Sequence, residues 1–320
     1  GTPVDATPEF IQEVFRNNSN SPSYPTTAGT AKLQSSIKSW AINELGASGD
    51  FGVLPLIGSK EIVALLPTIL ESKSVLFPEI AYPTYLVGAI IAKAKASAVN
   101  FEAGNWPSAD LAWINTPSNP TGRVHSDEEI KSAINWARKN GVAVFDECYL
   151  EFGDSKKPKS VLALTEGDNK NILAVHSLSK RSNLAGYRAA MLIGDKDLIA
   201  NILEVRKHAG GMVPLPVQHA MVAALGDKQH VIQQQARYNN RRKKIMAAVS
   251  SAGFKVDFSE AGLYVWATRS ESDWDSVKWF AERGILVTPG HFYGPAGDKH
   301  VRIALTATDT QIDQVVERIK

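Results

Sequence analysis

The sequence predicts an α/β fold: a large domain on a mostly parallel sheet between helices, followed by a smaller α+β domain. Three observations predict it. Short, continuously apolar runs recur through the middle of the chain, as strands buried on both faces require. Between two of them lies a segment with a full helix signature, at a length that fits a strand–helix–strand crossover. Beyond residue 226 the strand pattern changes to alternating apolar and polar positions, which suits a sheet with one solvated face.

The strands expected in the large domain are "VLF" (75–77), "LAWIN" (111–115), "VAVF" (142–145), "ILAV" (172–175) and "AAMLIG" (189–194). Between the second and third, Ser126 and Glu129 form a capping-box pair. Ile130, Ala133, Ile134 and Ala137 follow at helical spacing, and Gly141 ends the helix. The small domain is expected to hold a long polar helix (roughly 228–252), "FKVDF", "GLYVWAT", a helix around "WDSVKWFAERG", "ILVTP" and "VRIAL". Residues 1–45 read as a turn-rich segment with little core that packs with the small domain. The division is therefore 1–45, 46–226 for the large domain and 227–320 for the small one.

Composition narrows the function. Apolar residues make up 44% and charged residues 21% of the 320 positions, an ordinary globular balance. A net charge of +2 supplies no field for nucleic acid or membrane, and the run "RRKK" (241–244) reads as a solvated helix face. A single cysteine, Cys148, allows no disulfide within the chain and fits a reducing compartment. The apolar stretch "IVALLPTIL" is short and broken by Pro67, and no signal peptide is expected, so the expected location is cytoplasmic. His176, His208 and His291 lack the spacing of metal ligands, and no metal is expected.

Ligands of open α/β sheets bind beyond the carboxyl ends of the strands. There the sequence sets "TPSNPTGR", "DECY" and "HSLSK…GYR". These should bring Asn119, Asp146, Tyr149, Ser177, Ser179, Lys180 and Arg188 to one crevice. "IGSKEIVALL" puts Gly58, Ser59 and Lys60 at a helix start, where backbone N–H groups suit a phosphate. Tyr82 and Tyr85 in "AYPTY" offer flat apolar faces, as cofactor plates or as core. An amine, a buried acid, a phosphate cradle and an aromatic plate together fit pyridoxal phosphate.

The set "NPTG", "DECY", "SLSK…GYR" and "VRIAL" resembles the class I/II aminotransferases of fold type I, in the same order and over essentially the whole chain. "SLSKRSNLAGYR", "GSKE", "AYPTY", "RKHAG" and "AGLYVWAT" more narrowly resemble actinobacterial N-succinyl-LL-diaminopimelate aminotransferases. The resemblance implies a role for each matching residue. Lys180 would bond the cofactor aldehyde and shuttle the proton between Cα and C4′. Asp146 would keep the pyridine nitrogen protonated, and Asn119 and Tyr149 would bond the ring's phenolate oxygen. Tyr82 would lie on the ring. Ser177, Arg188 and the N–H groups of Ser59 and Lys60 would hold the phosphate. Arg302 would bind the substrate α-carboxylate, with Gly1 and Asn119 beside it; read alone, Arg302 also fits an edge-strand solubility role. Tyr24 would reach the phosphate of a neighbouring subunit, implying a homodimer with shared active sites.

The implied reaction is a ping-pong transfer between amino and 2-oxo acids, glutamate and 2-oxoglutarate among them, in diaminopimelate and lysine biosynthesis. Histidinol-phosphate, aspartate or aromatic aminotransfer, and carbon–sulfur lysis on the same scaffold, are the rival readings. For the succinyl arm Arg123, Arg181 and Lys207 stand as candidate cations, and Trp106 as an entrance or core residue.

Overall fold

The computed structural model describes residues 1–153 and 158–320. Its larger sheet has seven strands: β1 (Gly52–Ile57), β2 (Ser74–Pro78), β3 (Lys95–Val99), β4 (Leu111–Asn115), β5 (Val142–Asp146), β6 (Ile172–Ser177) and β7 (Ala189–Gly194). Their spatial order is β1-β7-β6-β5-β4-β2-β3. All neighbours run parallel except β7, which is antiparallel to both β1 and β6. The connection 178–188 is too short for a parallel crossover, which needs a dozen residues or more. β7 nevertheless reads as a parallel strand in sequence, because it is buried on both faces.

Helices α1 (Glu9–Asn17) and α2 (Ala31–Leu45) precede the sheet. Its strands are joined through α3 (Ser59–Ile69), α4 (Thr84–Ile91), α5 (Asp127–Lys139), α6 (Val161–Leu164) and the one-turn α7 (Leu178–Arg181). After it come α8 (Lys196–His208) and α9 (Leu215–Gly226). Two cores separate along the sheet: Ala112 and Ile114 face one, Leu111 and Trp113 the other. That split is the period-two alternation of a strand buried on both sides.

α5 opens with the capping box read from the sequence: Ser126 Oγ accepts from Glu129 N–H, and Glu129 Oε2 accepts from Ser126 N–H at 2.9 Å. The helix stops at Lys139 with Asn140 as its cap. Gly141 has a different task from the one expected. A Cβ there would lie 2.3 Å from the Ala109 carbonyl oxygen, so close backbone approach requires the glycine.

The smaller sheet follows α10 (Gln229–Ser251), with β8 (Lys255–Asp257), β9 (Tyr264–Thr268), β10 (Thr288–Pro289) and β11 (Val301–Ala304). They lie in the order β10-β11-β9-β8, all antiparallel. α11 (Asp273–Ala281) and α12 (Asp309–Ile319) complete this half. The expected solvated face is absent on β9, which is buried throughout. Tyr264 of β9 meets Tyr149 of the large domain, and Trp266 stacks on His300 with ring centres 4.9 Å apart.

Two further expectations change. Residues 1–45 are mostly helical, not turn-rich, and Ile11, Leu33, Ile37 and Trp40 belong to a core of the large domain. α1 and α2 pack on α9, because their apolar stripes need a buried partner and α9 offers one. Contacts with the small domain are fewer: Asp5 pairs with Arg241 at 2.7 Å, Glu44 with Lys228 at 2.7 Å, and Phe10 packs edge-on to His230. The "RRKK" run is not simply a solvated face. Arg241 and Arg242 are both 1% exposed, Arg241 held by Asp5 and Asp309 and Arg242 by the carbonyls of Phe152 and Gly262.

Candidate active site

Three neighbouring parallel strands end side by side. β4 ends at Asn115, β5 at Asp146 and β6 at Ser177. β1 delivers the start of α3 to the same edge, and antiparallel β7 begins there just after Arg188. The resulting cleft, about 720 Å³, is walled on its far side by β11 and β9 of the small domain. Gly1, Ser59, Lys60, Tyr82, Asn119, Asp146, Tyr149, Ser177, Lys180, Arg188 and Arg302 all line it. Tyr24 does not; it lies elsewhere, 92% exposed.

The charges are unbalanced. Lys60, Lys180, Arg188 and Arg302 face one carboxylate, Asp146, so the cleft attracts anions. Asp146 is buried and accepts from Tyr85 O–H at 2.8 Å and from Cys148 N–H at 3.2 Å. Burial raises its carboxyl above the usual range, outweighing the stabilising hydrogen bonds of Cys148 and Tyr85. A cationic partner inside the cleft would reverse that preference. Lys180 Nζ donates to the Gly1 carbonyl. Its ammonium is lowered to about 8, by burial first and then by Arg188 and Arg302, with Cys148 opposing.

The start of α3 forms a cradle. Gly58 caps it with φ +72° and no side chain, leaving the first-turn N–H groups of Ser59 and Lys60 free of intrahelical partners. Arg188 presses its guanidinium against this point: a Cβ on Gly58 would sit 2.1 Å from Nη2. Arg188 itself is held at φ +59°, a conformation that costs a non-glycine residue on the order of 1–3 kcal/mol. A positive helix end and a guanidinium repel unless an anion lies between them. The arrangement therefore fits a phosphate, and Lys180 and Asp146 line the same cleft.

Arg302 extends from β11 toward Asn119, donating from Nη1 to Oδ1 at 2.9 Å. Its Cζ lies 4.2 Å from the Tyr264 ring centre and 4.9 Å from that of Tyr293. Nε is buried without a hydrogen-bond partner among the described residues. An aromatic-flanked guanidinium with a spare donor is suited to a carboxylate.

The chain matches the family model "Aminotransferase class I and II" over residues 2–319. The chain is a class I and II aminotransferase. Its fold is that of the fold type I enzymes, and the family depends on pyridoxal phosphate. It is 50% identical to a probable aminotransferase of Mycobacterium tuberculosis, across all of this chain and 78% of that protein. It is 47% identical to OxyQ of Streptomyces rimosus, a 4-dedimethylamino-4-oxo-anhydrotetracycline transaminase, across all of this chain and 91% of the relative. Among solved structures, a probable N-succinyldiaminopimelate aminotransferase from Thermus thermophilus superposes with a TM-score of 0.91 at 26% identity, covering all of this chain and 92% of the other.

Several expectations for the aminotransferase's substrate arm fail. Arg123 is turned to Glu129 and stacks on Phe101, with Cζ 3.7 Å from the ring centre. Arg181 pairs with Glu151, and Lys207 with Glu204 on the surface of α8. None of the three lines the cleft. Trp106 takes the core alternative of its two readings, packing on Trp136 and donating to the Asn100 carbonyl. Sequence reasoning missed Tyr264, Phe292 and Tyr293, which form the aromatic wall. It also missed the Tyr85 bond to Asp146. The alternating aromatics of "GLYVWAT" were visible, but which face they presented was not.

Proposed function

We propose that this aminotransferase moves an amino group from glutamate to N-succinyl-2-amino-6-oxopimelate, yielding 2-oxoglutarate and N-succinyl-LL-diaminopimelate. The observation that carries the reading is Arg302, whose unpartnered Nε and aromatic flanks suit an α-carboxylate shared by both half-reactions. Bound pyridoxal phosphate supplies an aldehyde that takes up the amino group and a ring that withdraws electrons from Cα. Ser59, Lys60, Ser177 and Arg188 would hold its phosphate, and Tyr82 would supply a flat apolar face for its ring. Asp146 keeps a proton on the ring nitrogen, while Asn119 and Tyr149 bond the phenolate oxygen. Lys180 Nζ takes the proton from Cα and returns it at C4′. Gly1 lies beside the carboxylate held by Arg302.

The distal carboxylate falls to Lys60. Its exposed ammonium stands 5.8 Å from the Tyr82 ring centre, with no carboxylate partner among the described residues. Two copies complete the enzyme in this reading, each lending its exposed Tyr24 to the other's phosphate site. The likeness to the Thermus thermophilus structure supports the substrate.

The OxyQ relative favours a second reading, in which the aromatic wall of Tyr264, Phe292 and Tyr293 accepts a ring ketone. A panel of ketones with glutamate as donor separates the two. Turnover should be highest with the succinylated oxopimelate. High turnover with a polycyclic ketone, oxaloacetate or imidazole-acetol phosphate, and none with the succinylated compound, would sink the first reading.

A further inference from the structure

Lys180 sits on a helix of one turn, and a single turn is marginal by itself. What fixes it lies immediately behind the lysine, in Arg181, Ser182 and Asn183. Arg181 is fastened to Glu151 and Trp40, and Ser182 and Asn183 both reach α10. Arg181, 4% exposed, places Nε 3.0 Å from Glu151 Oε2 and its guanidinium 5.2 Å from the Trp40 ring centre. Ser182, fully buried, has its hydroxyl 2.8 Å from His230 Nε2. His230 Nδ1 is 2.6 Å from Asp227 Oδ1, at the junction of α9 and α10. Asn183, at φ +53°, donates from Nδ2 to Gln234 Oε1 and to the Ala6 carbonyl, both at 3.2 Å, and its carbonyl accepts from Thr7 Oγ1 at 2.9 Å.

The serine, histidine and aspartate stand in a line that resembles a nucleophile relay. Burial argues otherwise: Ser182 lines neither the active-site cleft nor the cavity around Arg181. With Nδ1–H given to Asp227, His230 Nε2 accepts the Ser182 proton, so the line is a tie. His230 and Gln234 are one helical turn apart on α10, on the same face. Gln234 also donates to Asp5 Oδ2 at 2.8 Å, and Asp5 holds Arg241 further along α10. The turn carrying Lys180 is thus bolted to the helix that leads into the small domain.

We propose that Arg181, Ser182 and Asn183 form a rear clamp on the Lys180 turn, with His230 and Gln234 of α10 as positioning residues for transamination. The inference rests on the transaminase reading of Lys180. The clamp holds Nζ inside the cleft, where Arg188, Arg302 and Cys148 face it and Asp146, Tyr149 and Tyr264 line the remaining walls. Asp227, Arg181 and Glu151 are the charged groups around His230. Release of the clamp lets the turn relax toward water, and the amine then titrates closer to its ordinary value.

The test uses the full chain in two states. Without cofactor, competitive acetylation across the alkaline range, read by mass spectrometry on the Lys180 peptide, gives the midpoint of that amine. His230→Ala should raise it by roughly one unit, a tenfold loss of free amine at a given pH. With cofactor, the same variant should lower kcat roughly tenfold and change KM less, as misplacement of a proton-transfer group does. His230→Gln, which keeps a polar atom for Ser182, should restore most of both. If His230→Ala fails to fold, Ser182→Ala carries the same expectations with a smaller change in volume. Variants that lower the melting temperature but keep the wild-type Lys180 midpoint and kcat would overturn the clamp. A wild-type chain that develops no visible band with pyridoxal phosphate would instead overturn the underlying reading of Lys180. The acetylation midpoints do not depend on that band.

Discussion

Lys180 is held where its charge is unwelcome, and that is useful to an amine that must be neutral to react. Its folded value of about 8 lies below the 10.5 of an exposed lysine, so between these limits the unfolded chain binds more protons. Stability contributed by this position therefore rises with pH through that window. Below it, the full penalty of a buried ammonium is present. In the cofactor-free protein, Lys180→Met should be more stable than wild type at neutral pH by on the order of 2 kcal/mol. The gap should close as the pH approaches 10.5, measured by urea unfolding across the range. A pH-independent gap would mean that packing, not charge, sets the difference. At this scale much of the site was legible, because Asp146 and Ser177 end strands and Asn119 and Lys180 follow within four residues of a strand end, where residue type and position both speak. Tyr264 and Tyr293 were not legible. Their role depends on how the small domain lies against the large one, and no local pattern encodes that.

The start of α3 shows how an element, not a residue, builds an anion site. Gly58 supplies the positive φ and the room for Arg188, and the helix end supplies its free N–H groups. Gly58→Ala should raise the dissociation constant for pyridoxal phosphate at least about tenfold, through backbone strain and collision with Arg188. Fluorescence titration of the cofactor-free protein measures it, with circular dichroism as the check on folding. Unchanged affinity would remove the cradle from the account. Elements with strong local signals were read correctly, such as α5 with its capping box and α10 with its length. β1 was missed because Pro55 interrupts it, and β3 because an edge strand reading "KASAV" lacks an apolar run. The antiparallel direction of β7 follows from the short connection before it, which apolar content alone does not reveal.

Across the whole molecule, the seven-stranded sheet gathers five loops to one edge and the small domain closes them with Arg302. α1 and α2 complete the core of the large domain by covering α9, a pairing over long sequence distance that local turn content hid. The cleft so formed gathers Lys60, Lys180, Arg188 and Arg302 around Asp146. The most direct test of this account is borohydride reduction of the protein with pyridoxal phosphate bound, followed by peptide mass mapping. The account predicts the cofactor's mass on the peptide containing Lys180, and its disappearance from the map in Lys180→Ala. A cofactor fixed to Lys60 or another lysine, or to none, would contradict it.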